Sequence, residues 1–200
     1  MARASVDPPR TSAPRRLSAR GIAAFTLLVL ALVAALVAPF LVDRGPAPVA
    51  DVPLTDQDGH TVRWSDFRGQ HLIVYFGYTG CPDVCPTGLS ELAKGLRALG
   101  PDARKVQVLF VSLDPGADTP ERLKRYMAYF DPTFRGLVPA PERLAEVTHE
   151  FDVAFQRTRV KGGTRIEHST ACYVLGPGGT LDGAFDTPIS PAALRRRLGL

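Results

Sequence analysis

The chain has 200 residues, long enough to bury one sizeable core and too short for two ordinary domains with a linker. With 45% hydrophobic, 22% charged and 8% aromatic residues it sits in the globular range, which excludes a disordered, collagen-like or low-complexity chain. Its formal charge of +4 belongs to the N-terminus: residues 1–44 carry six arginines against two aspartates, whereas residues 45–200 carry 18 basic and 18 acidic side chains. A phosphate-binding surface needs its basic excess on the folded part, so no nucleic-acid partner is expected.

From Gly21 to Val42 the chain runs 22 residues without a charge, directly after the basic stretch RRLSAR. A helix of that length spans roughly 33 Å, enough for a hydrocarbon core of roughly 30 Å. The alternative is a cleaved secretory signal, with Ala35–Ala38 loosely imitating its small-residue site, but such apolar regions usually run about 7 to 15 residues. The expectation is a single transmembrane anchor at 21–42 after a basic cytoplasmic segment at 1–20. Five of the six N-terminal arginines precede the apolar run, and the positive-inside rule leaves that end in the cytoplasm. Residues 43–51, DRGPAPVAD, read as a short tether. The domain at 52–200 then lies on the extracytoplasmic, periplasmic side of the cell membrane, where disulfides form and persist.

DVPLTDQDGHTVRWSDFRG holds a DQDG turn between two short alternating segments and predicts a hairpin ahead of the main fold. HLIVYFGYTG reads as a buried central strand. In the CPDVCPTGLSELAKGLRALG that follows, Leu89, Leu92, Leu96 and Leu99 recur at helical spacing. KVQVLFVSLDP predicts a second buried strand. DTPERLKRYMAYF predicts a helix capped by Asp118 or Thr119, with Pro120 in its first turn and Glu121 at a capping-box position. PERLAEVTHEF reads as a third helix, STACYVLGPGGTLDGAFD as two strands about a Gly-Pro-Gly-Gly turn, and SPAALRRRLG as a closing helix. Strands alternating with helices predict an α/β sheet covered by helices on both faces, antiparallel at its closing hairpin.

The chemistry concentrates in Cys81 and Cys85, at the junction of a buried strand with a helix start. Backbone N–H groups and the helix dipole there favour a thiolate, so at least one sulfur is expected to be more acidic than a free cysteine. If the helix includes both, residues four apart share a face, and the sulfurs can converge on one metal ion or on each other. A static disulfide, or two unreactive thiols, is the bland alternative. Zinc wants four ligands, and there is no second cysteine pair. Among the four histidines, His60, His71 and His149 read as ordinary surface or half-buried residues. His168 stands out, since IEHSTACYV sets it between the KGGTR loop and a buried strand, a good mounting for a distant ligand.

GYTGCPDVCP, then VSLDPGADTPERLKRY, then EHSTACYVLGPGG, in this order and spacing across residues 50–200, resemble the Sco (SenC) family of copper-binding, thioredoxin-like assembly proteins. The resemblance implies a thioredoxin-like three-layer sandwich with an added N-terminal β-hairpin. It also implies one copper ion, Cu(I) or Cu(II), bound by Cys81, Cys85 and His168, and it matches Asp114 to a family aspartate near the site. Gly80 departs from the family, where many members carry a larger residue. Cys172 is an addition, expected to be an inert buried thiol.

The implied function is a membrane-anchored copper chaperone. Its partners would be the haem-copper oxidase subunit that carries the dinuclear copper centre, and other copper chaperones or thiol reductants. A reversible Cys81–Cys85 disulfide would exclude the metal, because ligation needs thiolates. The competing reading is an extracytoplasmic thiol-disulfide oxidoreductase or thiol peroxidase using the same pair. Against it stand the CxxxC spacing, the lack of a tryptophan before the first cysteine, and His168, which a dithiol catalyst does not need.

Overall fold

The structure, a computed structural model, describes residue 25, residues 27–33, 35 and 36, residues 47–160 and residues 163–200. The basic segment read at 1–20 lies outside these. Of the apolar run, residues 27–33 are helical, with Leu27, Leu28, Leu30 and Leu32 exposed. Among the described residues no helix is long and apolar enough to cross a membrane. Met1–Gly45 and Pro46–Leu200 form separate compact units.

The second unit begins before residue 52. Pro48 bridges to Thr180, and Val49 N–H donates to the Gly179 carbonyl at 3.0 Å, so the end of the supposed tether is already in contact with the fold. The expected first hairpin is β1 (Leu54–Asp56) with β2 (Thr61–Val62). Its turn closes because the Asp56 carboxylate accepts the Asp58 and His60 amides, each at 2.9 Å, while Gly59 takes φ +84°. Next come β3 (His71–Gly77), α1 (Val84–Ala98), β4 (Val106–Ser112) and α2 (Pro120–Phe130). Thr119 caps α2 by accepting the Arg122 amide at 3.3 Å, which puts Glu121 one position short of a capping box.

Beyond α2 the structure adds a strand the sequence reading passed over, β5 (Arg135–Pro139), before α3 (Leu144–Glu150). A further unforeseen hairpin, β6 (Phe155–Val160) with β7 (Gly163–His168), forms a two-stranded sheet of its own. The chain closes with β8 (Cys172–Leu175), β9 (Leu181–Phe185) and α4 (Pro191–Leu198).

The main sheet runs β2-β1-β5-β4-β3-β8-β9. β3, β4 and β5 are parallel, and the flanking pairs are antiparallel. Pleating sends Tyr75 to one face, where its hydroxyl lies under Gly88 of α1. Gly136 of β5 packs on Leu123 of α2, and Gly95 of α1 on Leu194 of α4. Phe76 goes to the opposite face, where Phe151 after α3 meets the rings of Trp64, Phe76 and Tyr173 at 5.5, 5.2 and 5.6 Å. The three-layer α/β arrangement is therefore present, with its core on both faces of β3.

Phe151 is 1% exposed at the centre of that aromatic cluster. Phe151→Ala should cost about 3–5 kcal/mol, read as a lower urea midpoint at unchanged slope. A loss below about 1 kcal/mol would show that the cluster does not anchor this layer.

Candidate metal centre

β3 ends at Gly77, where a Cβ would lie 2.8 Å from Cys85 Sγ and 2.8 Å from the Phe110 ring. Only glycine leaves room for that sulfur. Tyr78 to Asp83 then form a loop and α1 starts at Val84, so Cys85 lies in the first helical turn and Cys81 ahead of it. The sequence allowed a helix through both, and the structure gives it only Cys85. Pro82 is the reason, because a residue before proline is sterically pushed out of the helical region. The loop curls back instead: Cys81 N–H donates to the Tyr78 carbonyl at 3.1 Å, and the Cys85 amide, at the helix N-terminus, points at Cys81 Sγ at 3.4 Å.

Cys85 has no exposure and Cys81 has 9%. Burial pushes the Cys85 thiol far above the ordinary cysteine range, only partly offset by the Tyr78 backbone amide. Of the two sulfurs, one of which was expected to be acidified, Cys85 is not that one, since loss of solvent outweighs the helix dipole. Cys172 is fully buried in β8, and burial raises its thiol too. All three cysteines are free thiols in the structure.

His168 is placed by strand pairing rather than by a flexible loop. It ends β7, opposite Phe155 of β6. Its Nδ1 lies 2.7 Å from the Ser169 carbonyl, which can only accept, so Nδ1 carries the proton and Nε2 keeps its lone pair. That lone pair faces Cys85 Sγ at 3.3 Å. Burial lowers the pKa of His168, which keeps the imidazole neutral near pH 7.

The two sulfurs and the imidazole nitrogen lie within 4.8 Å of one another. A metal bonded at about 2.0–2.3 Å to each of three ligands brings their donor atoms to such separations. Cys81 and His168 rim an open pocket of ≈ 330 Å³ whose lining also includes Asp83, Val84, Arg165 and Glu167. A groove of comparable size lined by Gln70, Arg97 and Arg104 contains no cysteine or histidine and offers no soft ligand.

The other histidines stay apart: His60 is exposed in the β1–β2 turn, His71 is half-buried at the start of β3, and His149 is exposed at the end of α3. Asp114 is outside the ligand group, and its carbonyl accepts the Ala117 and Asp118 amides at 2.9 and 2.8 Å. The buried carboxylate next to the cysteine loop is that of Asp118, 2% exposed, which the sequence reading weighed only as a helix cap. Tyr78 was also missed. Its hydroxyl accepts the Ile166 amide of β7 at 3.4 Å, and its ring meets His168 edge-on at 6.3 Å. An apolar run continuing past the strand was its only trace in the sequence.

In the native, metal-free chain, iodoacetamide should label Cys81 first, with Cys85 and Cys172 labelled only on unfolding, as read by peptide mass spectrometry. Equal or faster labelling of Cys85 would contradict the burial that raises its thiol.

Residues 46–199 match the SCO1/SenC family. A copper-bound structure of ScoI from Bradyrhizobium japonicum is 37% identical, with 76% of this chain and all of that chain covered at a TM-score of 0.70. Yeast Sco1 with copper bound is 28% identical, covering 76% of this chain and 86% of that one, TM-score 0.68. The mitochondrial protein SCO2 homolog of Bos taurus is 36% identical over 133 residues, 64% of this chain, and the match spans half the bovine protein's length. The matched stretch holds Cys81, Cys85 and His168 together, and the chain belongs to the SCO1/SenC family.

Proposed function

We propose that this protein is a copper-binding member of its family, anchored in the cell membrane through residues 21–42. Its outward-facing domain would carry copper to, or prepare the thiols of, the dinuclear copper centre of a haem-copper oxidase. The observation that carries the reading is the convergence of Cys81, Cys85 and His168 within 4.8 Å at the rim of an open pocket. The copper bound in two similar structures supports the choice of metal. Two thiolates and one neutral imidazole form a soft set that suits Cu(I). Cu(II) would complete the same set with water or another oxygen ligand. Zinc would want a fourth protein ligand, and the third cysteine is sealed inside β8.

Copper here is cargo, and the geometry suits release. Cys85, fully buried, would hold the ion from the protein side, while Cys81 and His168 line the open pocket through which an acceptor's ligand would enter. Oxidation would end binding. The two thiols lose two protons and two electrons, to a disulfide-bearing partner or to two Cu(II) ions that each become Cu(I), and the resulting disulfide offers no thiolate. A disulfide oxidoreductase reading is weaker, because the Cys85 thiol keeps its proton and the imidazole is already committed to that sulfur.

Anaerobic titration of the full chain in detergent should give one Cu(I) per chain. Cys81→Ser or Cys85→Ser should abolish tight binding, and His168→Ala should weaken it and change the Cu(II) spectrum. Since Cys85 is protonated through neutral pH, binding displaces a proton, and the apparent affinity should rise about tenfold per pH unit for each proton displaced. Unchanged stoichiometry and affinity in all three variants, or a pH-independent affinity, would contradict the assignment.

The anchor predicts retention in the membrane fraction after a high-salt wash, and activity of an export-dependent reporter fused after Leu200. A soluble mature protein beginning near residue 39 would instead identify a cleaved signal.

A further inference from the structure

Two chain segments must meet to make the site: the Tyr78–Cys85 stretch, and the β6–β7 hairpin that ends in His168. Both are tied to one turn, Leu113–Asp118, between β4 and α2. On the cysteine side, the Asp118 carboxylate accepts the Thr79 amide at 3.1 Å and the Thr79 hydroxyl at 2.5 Å. It also accepts the Ser112 hydroxyl at 2.7 Å, and Arg122 Nε stands 3.9 Å away. On the histidine side, Arg157 of β6 donates to the Leu113 carbonyl. The turn is itself braced: Leu113 N–H donates to the Gly77 carbonyl at 2.7 Å, and Asp114 N–H to Ser112 Oγ at 3.0 Å.

Helix capping does not account for Asp118. Thr119 supplies the cap of α2, and the Asp118 side chain turns away from the helix to a residue 39 positions earlier in the chain. That residue, Thr79, stands two before Cys81, with only Gly80 between them. A carboxylate can accept from an amide and two hydroxyls together, whereas an amide side chain in its place offers one oxygen to these three donors, and its NH2 forces a hydroxyl to reverse and give up its own acceptor. Burial makes such a mismatch costly.

We propose that Asp118 is a positioning residue for the metal centre: through Thr79 it fixes the loop that presents Cys81, in register with the Arg157–Leu113 tie that fixes the hairpin of His168. The copper arm of its test rests on the copper reading above, and the metal-free arm does not. Asp118→Asn loosens the cysteine loop while leaving the sheet and helices intact.

The test uses the full chain in detergent. In the metal-free chain, Asp118→Asn should speed hydrogen exchange at the Thr79 and Cys81 amides and change the alkylation rate of Cys81 by about fivefold or more. The melting temperature should move only a few degrees. Thr79→Val, which removes one hydroxyl and keeps the amide, should shift both in the same direction by less. The double variant should go no further than Asp118→Asn alone, since the two residues act through one contact. With copper added, the sulfur-to-Cu(II) charge-transfer band of Asp118→Asn should shift relative to wild type and to Asp58→Asn, a surface control paired with Lys124. If Asp118→Asn does not fold, the exchange and alkylation of Thr79→Val decide the matter. Absence of a copper band in the wild type would sink the copper reading and leave the metal-free arm standing. Wild-type exchange and alkylation in the variants would overturn the positioning role.

Discussion

The 3.3 Å contact between Cys85 Sγ and His168 Nε2 joins residues 83 positions apart, and much of the site's construction serves to make it. One partner is rooted in the first turn of α1, the other at the open base of a hairpin outside the main sheet, where β7 ends opposite the start of β6. Glycine at position 77 leaves the volume the sulfur occupies, and the Ser169 carbonyl accepts the hydrogen bond from His168 Nδ1–H, so that the Nε2 lone pair faces the sulfur. Solvent is excluded from the sulfur, so its thiol holds its proton until something stronger than water's pull replaces it. A soft metal ion is such a competitor, and the proposed copper site follows from that exchange of a proton for an ion.

The layers around the site explain how a precise contact is kept on a surface-facing loop. Parallel strands β3 and β4 end side by side, Gly77 opposite Ser112, so the two loops that leave them start within hydrogen-bonding reach. This strand-end crevice is where open α/β sheets place their ligands. Tyr78 spans from the cysteine loop to β7, and the Leu113–Asp118 turn grips both segments. Rigidity thus comes from buried and part-buried hydrogen bonds at loop ends.

Much of this was legible in the sequence. The apolar run of β3, the leucine spacing of α1, the Thr-Pro start of α2 and the DQDG turn each carry a local signal, and each formed where read. Cys81, Cys85 and His168 each stood out from their local sequence, but their union in one group was legible only through the family pattern, because spacing alone cannot say that residue 168 meets residue 85. Strand β5 was missed since Arg135, Gly136 and Pro139 mask its short apolar centre, and its place is set by pairing with β4 and β1. The β6–β7 hairpin was missed because its side chains are almost all exposed, with no alternation to betray a buried face. The raised thiol of Cys85 was not foreseen for a related reason: a helix start can be recognised from sequence, but the depth at which it is buried cannot. Asp118 was read as a cap because local sequence favours that role, and only the tertiary fold brings Thr79 to it.

The most direct test of the account is X-ray absorption on the Cu(I)-loaded full chain, in wild type and His168→Ala. Two sulfur scatterers and one imidazole nitrogen bonded to copper in the wild type, with the imidazole signal lost in the variant, are the predicted result. A copper shell made of sulfur alone, or an imidazole signal that survives the substitution, would contradict it.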